Sequence, residues 1–345
     1  MKSKRIPNLD LIRAIAIVMV LIYHTVQRIP IKPDIVSFLS QPGQYGVELF
    51  FVLSGFLVGG LYFNELLEKG SVEVCRFVLR RVTRTVPPYF LALAPAFLGS
   101  YLFENEPFRW EYLLFFQNYI ERMPYFLVSW SICVEEHFYL FLPFVLLFLL
   151  RIGNHSRKIV VFIILFLPFF LRVVSYKGGA SFGFYHAASH FHLDTLFLGV
   201  LMAWFSVYES DKLSRLHNYR YVIIFISFIL LLLTNLLDDK LVFTLGLVVI
   251  GSTFALLILS LSYGKQYKIS SYRAITALAS SSYAIYLTHS MVIQALVKAN
   301  SLFNIPAFPF WVVMLVFSVI VGHAFHLLIE VPLMAIRNKV IPSTK

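Results

Sequence analysis

Residues 9–28 read LDLIRAIAIVMVLIYHTVQR, and this block decides the class of fold. It has the ~20 residues that one helix needs to cross the hydrocarbon core of a bilayer. Similar apolar blocks recur along the 345-residue chain, in which 59% of residues are hydrophobic and only 14% are charged. A soluble domain of this length cannot hide so much apolar surface. The pattern therefore predicts an all-α, polytopic transmembrane helix bundle and excludes soluble enzymes, disordered scaffolds and secreted disulfide domains.

The blocks predict about ten membrane spans within a single integral membrane domain, residues 1–345. The predicted spans are 9–28, 45–63, 86–103, 130–150, 158–175, 190–208, 220–237, 241–263, 280–297 and 310–330. We expect the first block to be retained rather than cleaved as a signal peptide, because it contains Asp10 and Arg13 and no small-residue cleavage site follows it. The segment 104–129 is the longest outer loop, and its apolar run 112–116 predicts an amphipathic surface helix.

The distribution of Lys and Arg predicts the orientation. With the N-terminus inside, 20 of the 29 basic residues fall on inner segments, 8 fall on outer segments, and Arg13 lies within the first span. Basic residues collect on cytoplasmic loops, so we expect both termini in the cytoplasm. The net charge of +11 follows from this bias and predicts no nucleic-acid partner.

Charged residues within the first two spans are functional hypotheses, since burying charge in a membrane is costly. In the first span, Arg13 and His24 are 11 residues apart, about 16 Å along one helix face. The alternative is an Asp10–Arg13 ion pair and a packing histidine. In the second span, packing does not require the carboxylate of Glu48. The small residues that follow it favour close helix packing, and they are Ser54, Gly55, Gly59 and Gly60.

Two further groups allow both a structural and a functional interpretation. Arg76, Arg80, Arg81 and Arg84 precede Pro87 and are either a positive-inside signal or a cradle for phosphate groups. The start of the fourth span, residues 129–139, reads SWSICVEEHFY. Its carboxylates and imidazole suit proton transfer, whereas the same serines and acids also suit a helix N-terminus.

The remaining polar residues within the apolar blocks are mainly histidines. His186, His190 and His192 precede Asp194, a spacing that permits metal binding. None of the ten histidines is adjacent to another, however, as the boxes of membrane di-iron desaturases require, and we expect no metal. His289 lies in the middle of a predicted span and needs a polar partner.

Together these blocks resemble the acyltransferase-3 family of integral membrane O-acyltransferases, over nearly the whole chain. The motifs that carry the resemblance are Asp10 and Arg13 with His24; the run 46–56 with Glu48 and Ser54; Arg80, Arg81 and Arg84; Trp130 and Ser131 with Glu135 and Glu136; Asp194 with Gly199; Tyr286 to His289; and Glu330 to Pro332. Two departures stand out: the arginine that often precedes the Asp-x-x-x-x-Gly stretch is replaced by His190-Phe191-His192, and we identify no fused hydrolase-like domain.

The resemblance implies transfer of an acyl group, most often acetyl from acetyl-CoA, to a sugar hydroxyl of a cell-surface polysaccharide or glycolipid, in a bacterial cytoplasmic membrane. Because such a donor is an anionic thioester made in the cytoplasm, we expect the inward-facing Arg13, Arg80, Arg81 and Arg84 to hold it. His24 is the expected general base or acyl carrier, oriented by Glu135 or Glu136. The acceptor remains open among lipopolysaccharide O-antigen, exopolysaccharide, a peptidoglycan precursor and a small glycoside. The alternative function is a proton-coupled transporter, although we find no inverted repeat.

Overall fold

The computed structural model describes residues 7–30, 32–210, 214–262 and 273–342, and these ranges fold into helices joined by short turns, without a strand. The long helices are α1 (Pro7–Val26), α2 (Gly46–Lys69), α3 (Val74–Glu104), α4 (Trp130–Arg151), α5 (Asn154–Lys177), α6 (Leu193–Tyr208), α7 (Arg220–Leu233), α8 (Leu247–Ser262), α9 (Arg273–Phe303), α10 (Ala307–Phe325) and α11 (Val331–Val340). Shorter helical segments are Asp34–Ser40, Gln41–Tyr45, Trp110–Tyr112, Gln117–Tyr119, Leu127–Ser129, Phe182–Ala187, Ser189–Phe191, Ser214–Tyr219, Thr234–Leu236, Asp239–Leu241, Val242–Gly246 and His326–Glu330.

The all-α class is confirmed, and every predicted span falls largely on helix. Within the described residues, eight helices are long and apolar enough to cross a membrane. Two predicted spans are not among the eight. The span 190–208 becomes α6, which has only 16 residues. The span 280–297 lies inside α9, which buries polar residues such as Ser282 and His289 and is correspondingly less apolar. The count of ten spans and the orientation of the termini stay predictions.

Part of the basic set behind the predicted orientation lies outside the described residues. These residues are Lys2, Lys4, Arg5, Lys212, Lys265, Lys268 and Lys345.

The helices that are described differ in their burial. The apolar windows of α5 and of Arg215–Leu236 are each only 11% buried, whereas that of Val242–Ser262 is 67% buried. We therefore place α5 and α7 on the lipid-facing rim and α8 in the interior.

The predicted amphipathic helix in the loop 104–129 is wrong. The chain turns at Asn105, whose φ of 54° ends α3, and then forms three short helical turns. Tyr112 and Gln117 are completely buried, and Tyr89 of α3 donates a hydrogen bond of 2.9 Å to the carbonyl of Tyr112. The loop packs into the bundle because its polar groups find partners there.

Helices α2 and α6 pack closely, as the small residues predicted. A Cβ atom at Gly55 would lie 1.9 Å from the Leu196 carbonyl oxygen, and one at Gly199 would lie 2.1 Å from the Val52 carbonyl oxygen. Both positions therefore require glycine. Gly59 also faces α6, whereas Gly60 faces open space. The packing role is thus confirmed for Gly55 and Gly59 but not for Gly60.

Candidate active site

A cavity of about 120 Å³ lies between α1, α2, α3, α4 and α9. Its charged lining residues are Arg13, Arg81, Arg84 and Glu135, and its hydroxyl-bearing lining residues are Ser54, Thr85, Ser131, Tyr139, Ser282, Tyr283 and Tyr286. We call this the arginine cavity. Residues from five motifs that are separated in the sequence by tens of residues therefore meet at one place.

The direction of each helix explains how these groups meet. Arg13 lies six residues into α1 and Arg81 seven residues into α3, which places each about 10 Å from the start of its helix. Glu135 lies five residues into α4, about 8 Å from its start. In the predicted topology, α1 and α3 begin at the inner side and α4 at the outer side. In that predicted topology, the arginines would reach the cavity from the inner side of the membrane and the carboxylate from the outer side.

The charges around the cavity favour an anion. Arg13 lies 3.4 Å from the Asp10 carboxylate, which is the local ion pair that the sequence left open. Glu135 interacts electrostatically with Arg84. The Nε of Arg81 is buried and has no hydrogen-bond partner among the described residues. Because a buried donor without a partner is costly, this guanidinium group is suited to bind a ligand.

Two residues predicted for this site do not line the cavity. Arg80 donates a hydrogen bond to the carbonyl oxygen of Ile341 at the end of α11, so the structure does not bring it to the arginine cavity. Glu136 accepts a hydrogen bond from the hydroxyl of Thr85, whereas the neighbouring Glu135 faces the cavity. Consecutive residues on a helix point about 100° apart. Arg81 and Glu135 therefore face the cavity, whereas their neighbours Arg80 and Glu136 do not.

Hydroxyl groups form a network on the wall of the cavity. Ser54 hydrogen-bonds to the hydroxyl of Tyr139. Ser131 Oγ lies 2.6 Å from the hydroxyl of Tyr286, which donates to the carbonyl oxygen of Val128 at 3.0 Å. The last two bonds hold the side chain of Tyr286, which lies between the cavity and a pair of histidines.

The two histidines are His24 of α1 and His289 of α9, whose ring centroids are 5.0 Å apart. Nδ1 of His24 lies 2.9 Å from the carbonyl oxygen of Val20, and Nδ1 of His289 lies 2.7 Å from that of Tyr286. A carbonyl oxygen only accepts, so each Nδ1 carries the proton and each Nε2 carries a lone pair when the ring is neutral. His289 Nε2 is buried without a hydrogen-bond partner.

The histidine pair adjoins the arginine cavity without lining it. The ring of Tyr286, which lines the cavity, lies 5.5 Å from the ring of His289. The expected orientation of His24 by Glu135 or Glu136 is not what the structure has, because the Val20 carbonyl holds Nδ1. The ring is oriented instead by a backbone carbonyl one turn earlier on the same helix. A bond to the backbone leaves no side-chain pattern in the sequence, so it could not be predicted from a motif.

Two further pairs of buried side chains lie near the site, and the sequence analysis predicted neither pairing. Arg172 of α5 forms a bidentate pair with Asp194 of α6, with Nη–Oδ distances of 2.6 and 3.2 Å. Glu48 of α2 lies 3.0 Å from Nδ1 of His192. Arg172 thus supplies the guanidinium group that the sequence lacks just before the Asp-x-x-x-x-Gly stretch. In the sequence, the only indication of this role was that Arg172 is a basic residue within the predicted span 158–175.

Aromatic packing connects the Glu48–His192 pair to Trp130. Its ring lies 5.1 Å from that of His192 and 4.9 Å from that of His186. His192 Nε2 lies 2.8 Å from the carbonyl oxygen of His186. Burial lowers the pKa of His186, which precedes α6, to about 4, so this imidazole is neutral at pH 7. No group of three or more metal-ligating side chains occurs in the part of the chain that the structure describes.

The fold is a helical bundle with membrane-spanning helices, and its candidate site places an arginine-lined cavity next to a histidine pair. The family model described as "Acyltransferase domain" matches residues 6–327. The chain therefore belongs to the acyltransferase-3 family, as the motifs predicted.

Curated relatives are similar over most of this chain. A protein of Staphylococcus aureus strain COL, provisionally named an O-acetyltransferase, is 27% identical over 322 residues, covering 85% of this chain and 51% of that protein. The peptidoglycan O-acetyltransferase OatA of Listeria monocytogenes is 24% identical, covering 84% of this chain and 50% of that protein. The chain thus spans about half the length of these relatives. No solved structure matches it.

Proposed function

We propose that the protein transfers an acetyl group from cytoplasmic acetyl-CoA to a sugar hydroxyl of a cell-envelope glycan, in the bacterial cytoplasmic membrane. The observation that carries this proposal is the arginine cavity beside the His24–His289 pair. Arginine forks suit phosphate groups, and acetyl-CoA is an anionic thioester made in the cytoplasm.

The donor-binding role falls to Arg13, Arg81 and Arg84, because these three line the arginine cavity. Arg13 and His24 are 11 residues apart on α1, about 16 Å along the axis. An extended pantetheine arm spans a distance of this order. Phosphates held at the arginines would therefore leave the thioester close to the histidine pair.

The chemistry follows from the tautomer of His24. Its Nε2 lone pair takes the proton of the acceptor hydroxyl while the hydroxyl oxygen attacks the thioester carbon. The carbon–sulfur bond breaks, and the departing thiolate receives the proton from His24. His289 contacts the ring of His24 and carries a second Nε2 lone pair, so it is placed to accept a hydrogen bond from the imidazolium. This partner stabilises the charge that develops during transfer.

The acceptor class is proposed from the relatives. OatA of L. monocytogenes is named a peptidoglycan O-acetyltransferase, and by similarity we propose a glycan of the cell envelope for this chain. The experiment is incubation of purified protein in liposomes with [14C]acetyl-CoA and a glycolipid extract from the producing cells. We expect radiolabel to enter an alkali-labile ester on glycan. Transport of intact acetyl-CoA or of protons without ester formation would contradict the proposal.

A further inference from the structure

A second opening, separate from the arginine cavity, lies between α4, α5 and α6 and has a volume of about 390 Å³. We call it the lateral groove. Its polar end is formed by Tyr119, His137, Ser189 and His190, and its apolar end by Phe141, Val145, Ile164 and Phe197. We infer that the lateral groove binds a lipid-linked sugar, with the sugar at the polar end and the lipid chain along the apolar end.

The polar end has an unused hydrogen-bonding group. Asn118 Nδ2 donates to Ser189 Oγ at 2.8 Å and to the Ala187 carbonyl at 3.0 Å. Ser189 Oγ lies 2.7 Å from Nδ1 of His137. On the other side of that ring, Nε2 is buried without a well-formed hydrogen bond, and the Phe115 backbone is the further polar group that interacts with the imidazole. A sugar hydroxyl both donates and accepts, so it satisfies Nε2 in either tautomer of the imidazole.

Aromatic rings line the polar end of the groove. Tyr119 stacks on His190 with centroids 5.7 Å apart, and Phe116, which is 50% exposed, lies 5.4 Å from the ring of His137. The faces of sugar rings carry C–H groups that pack on aromatic surfaces, while their edges carry hydroxyls. No Lys, Arg, Asp or Glu lines the groove. This chemistry favours a neutral hydroxylated headgroup over a phosphate, which requires basic partners.

The apolar end explains why the ligand is attached to a lipid. Phe141 is 61% exposed although it lies in the middle of α4, and α5 across the groove is one of the least buried helices. These surfaces face the bilayer, where exposed apolar side chains are stable. A lipid chain can therefore lie along the groove and enter it sideways from the membrane.

Helix α4 forms a common wall between the lateral groove and the arginine cavity. Its residues Glu135 and Tyr139 line the cavity, whereas His137 and Phe141 line the groove. The groove is thus one helix away from the donor site. Its assignment as the binding site of the acyl acceptor rests on the proposed function, whereas binding of the lipid-linked sugar does not.

The test uses the full chain in lipid nanodiscs without acetyl-CoA. The probe is an alkyl glucoside with a photoreactive diazirine in its chain, and cross-linked peptides are identified by mass spectrometry. We expect saturable labelling of α4 and α5 that dodecyl glucoside displaces and that glucose or dodecylphosphocholine does not. Tyr119→Ala and His137→Leu should each weaken binding about tenfold, from a lost aromatic contact and a lost hydrogen bond. Tyr119→Phe, which keeps the ring, should lose less.

The matched control is Tyr101→Ala, which removes a tyrosine that is 54% exposed on α3, outside the groove. It should bind like the unmodified protein. Displacement by dodecylphosphocholine as effective as that by dodecyl glucoside, or full binding by the folded Tyr119→Ala and His137→Leu variants, would overturn the proposal. Because no donor is present, loss of binding is distinguishable from failure of acetyl transfer, which is measured separately.

Discussion

Replacing Arg81 with Ala should weaken acetyl-CoA binding while the same change at the adjacent Arg80 should not. Arg81 lines the arginine cavity with a buried, unpartnered Nε, whereas Arg80 hydrogen-bonds to the Ile341 carbonyl. A hydrogen bond to a charged group contributes about 1.5–3 kcal/mol, which corresponds to a roughly 10- to 150-fold change in Kd. Arg81→Lys should recover only part of this loss, because a lysine cannot form the two-pronged contact.

The folded protein should tolerate the Arg81 variant. Arg13, Arg81 and Arg84 place three positive charges around one cavity, and Glu135 is the one carboxylate among the residues that line it. The Asp10 carboxylate offsets the charge of Arg13, which leaves Arg81 and Arg84 as neighbouring like charges. Removing one of the like charges relieves repulsion, so the thermal midpoint without donor should not fall. Isothermal titration of acetyl-CoA into nanodisc-bound protein gives Kd, and thermal unfolding gives the midpoint. Equal Kd values for Arg81→Ala, Arg80→Ala and the unmodified protein would refute the assignment of this cavity to the donor.

Other consequences concern stability and topology. Arg172→Ala should lower the free energy of unfolding by about 3–5 kcal/mol in detergent, because it leaves a buried carboxylate unpaired; an unchanged thermal midpoint would count against that pair. Gly55→Ala should destabilise the α2–α6 contact by about 1–3 kcal/mol. Gly60 faces open space, so Gly60→Ala should be tolerated in the same assay. Topology reporters inserted near Ser71 and Pro107 should read cytoplasmic and extracytoplasmic, respectively; the same side for both would refute the predicted orientation.

Helix positions could be predicted because apolar length is a property of the sequence itself. The bilayer requires about 20 apolar residues per span, and α1, α2 and α5 show that pattern directly. The predicted span at α9 shows the limit of hydropathy. Ser281, Ser282, Thr288 and His289 are buried and hydrogen-bond to carbonyl oxygens one turn earlier on the same helix. An interior helix can therefore be less apolar than a lipid-facing one.

The pairing of charged residues could not be predicted in the same way. Arg80 and Arg81 are neighbours in one basic motif, yet the rotation of α3 decides which of them faces the arginine cavity. Arg172 and Asp194 are 22 residues apart, on helices whose contact depends on the whole bundle. Sequence motifs thus identified most residues that converge, and packing decided which of them meet.

The central claim is that His24 removes the proton from the acceptor, and its most direct test is the transfer rate of His24→Gln with [14C]acetyl-CoA. Glutamine fills a similar volume and hydrogen-bonds but cannot take up the proton. We predict that His24→Gln folds with a near-normal thermal midpoint and loses transfer by about 10²–10⁴-fold, as does His24→Ala. Near-normal transfer by a well-folded His24→Gln protein would contradict the account and move the catalytic role to another residue.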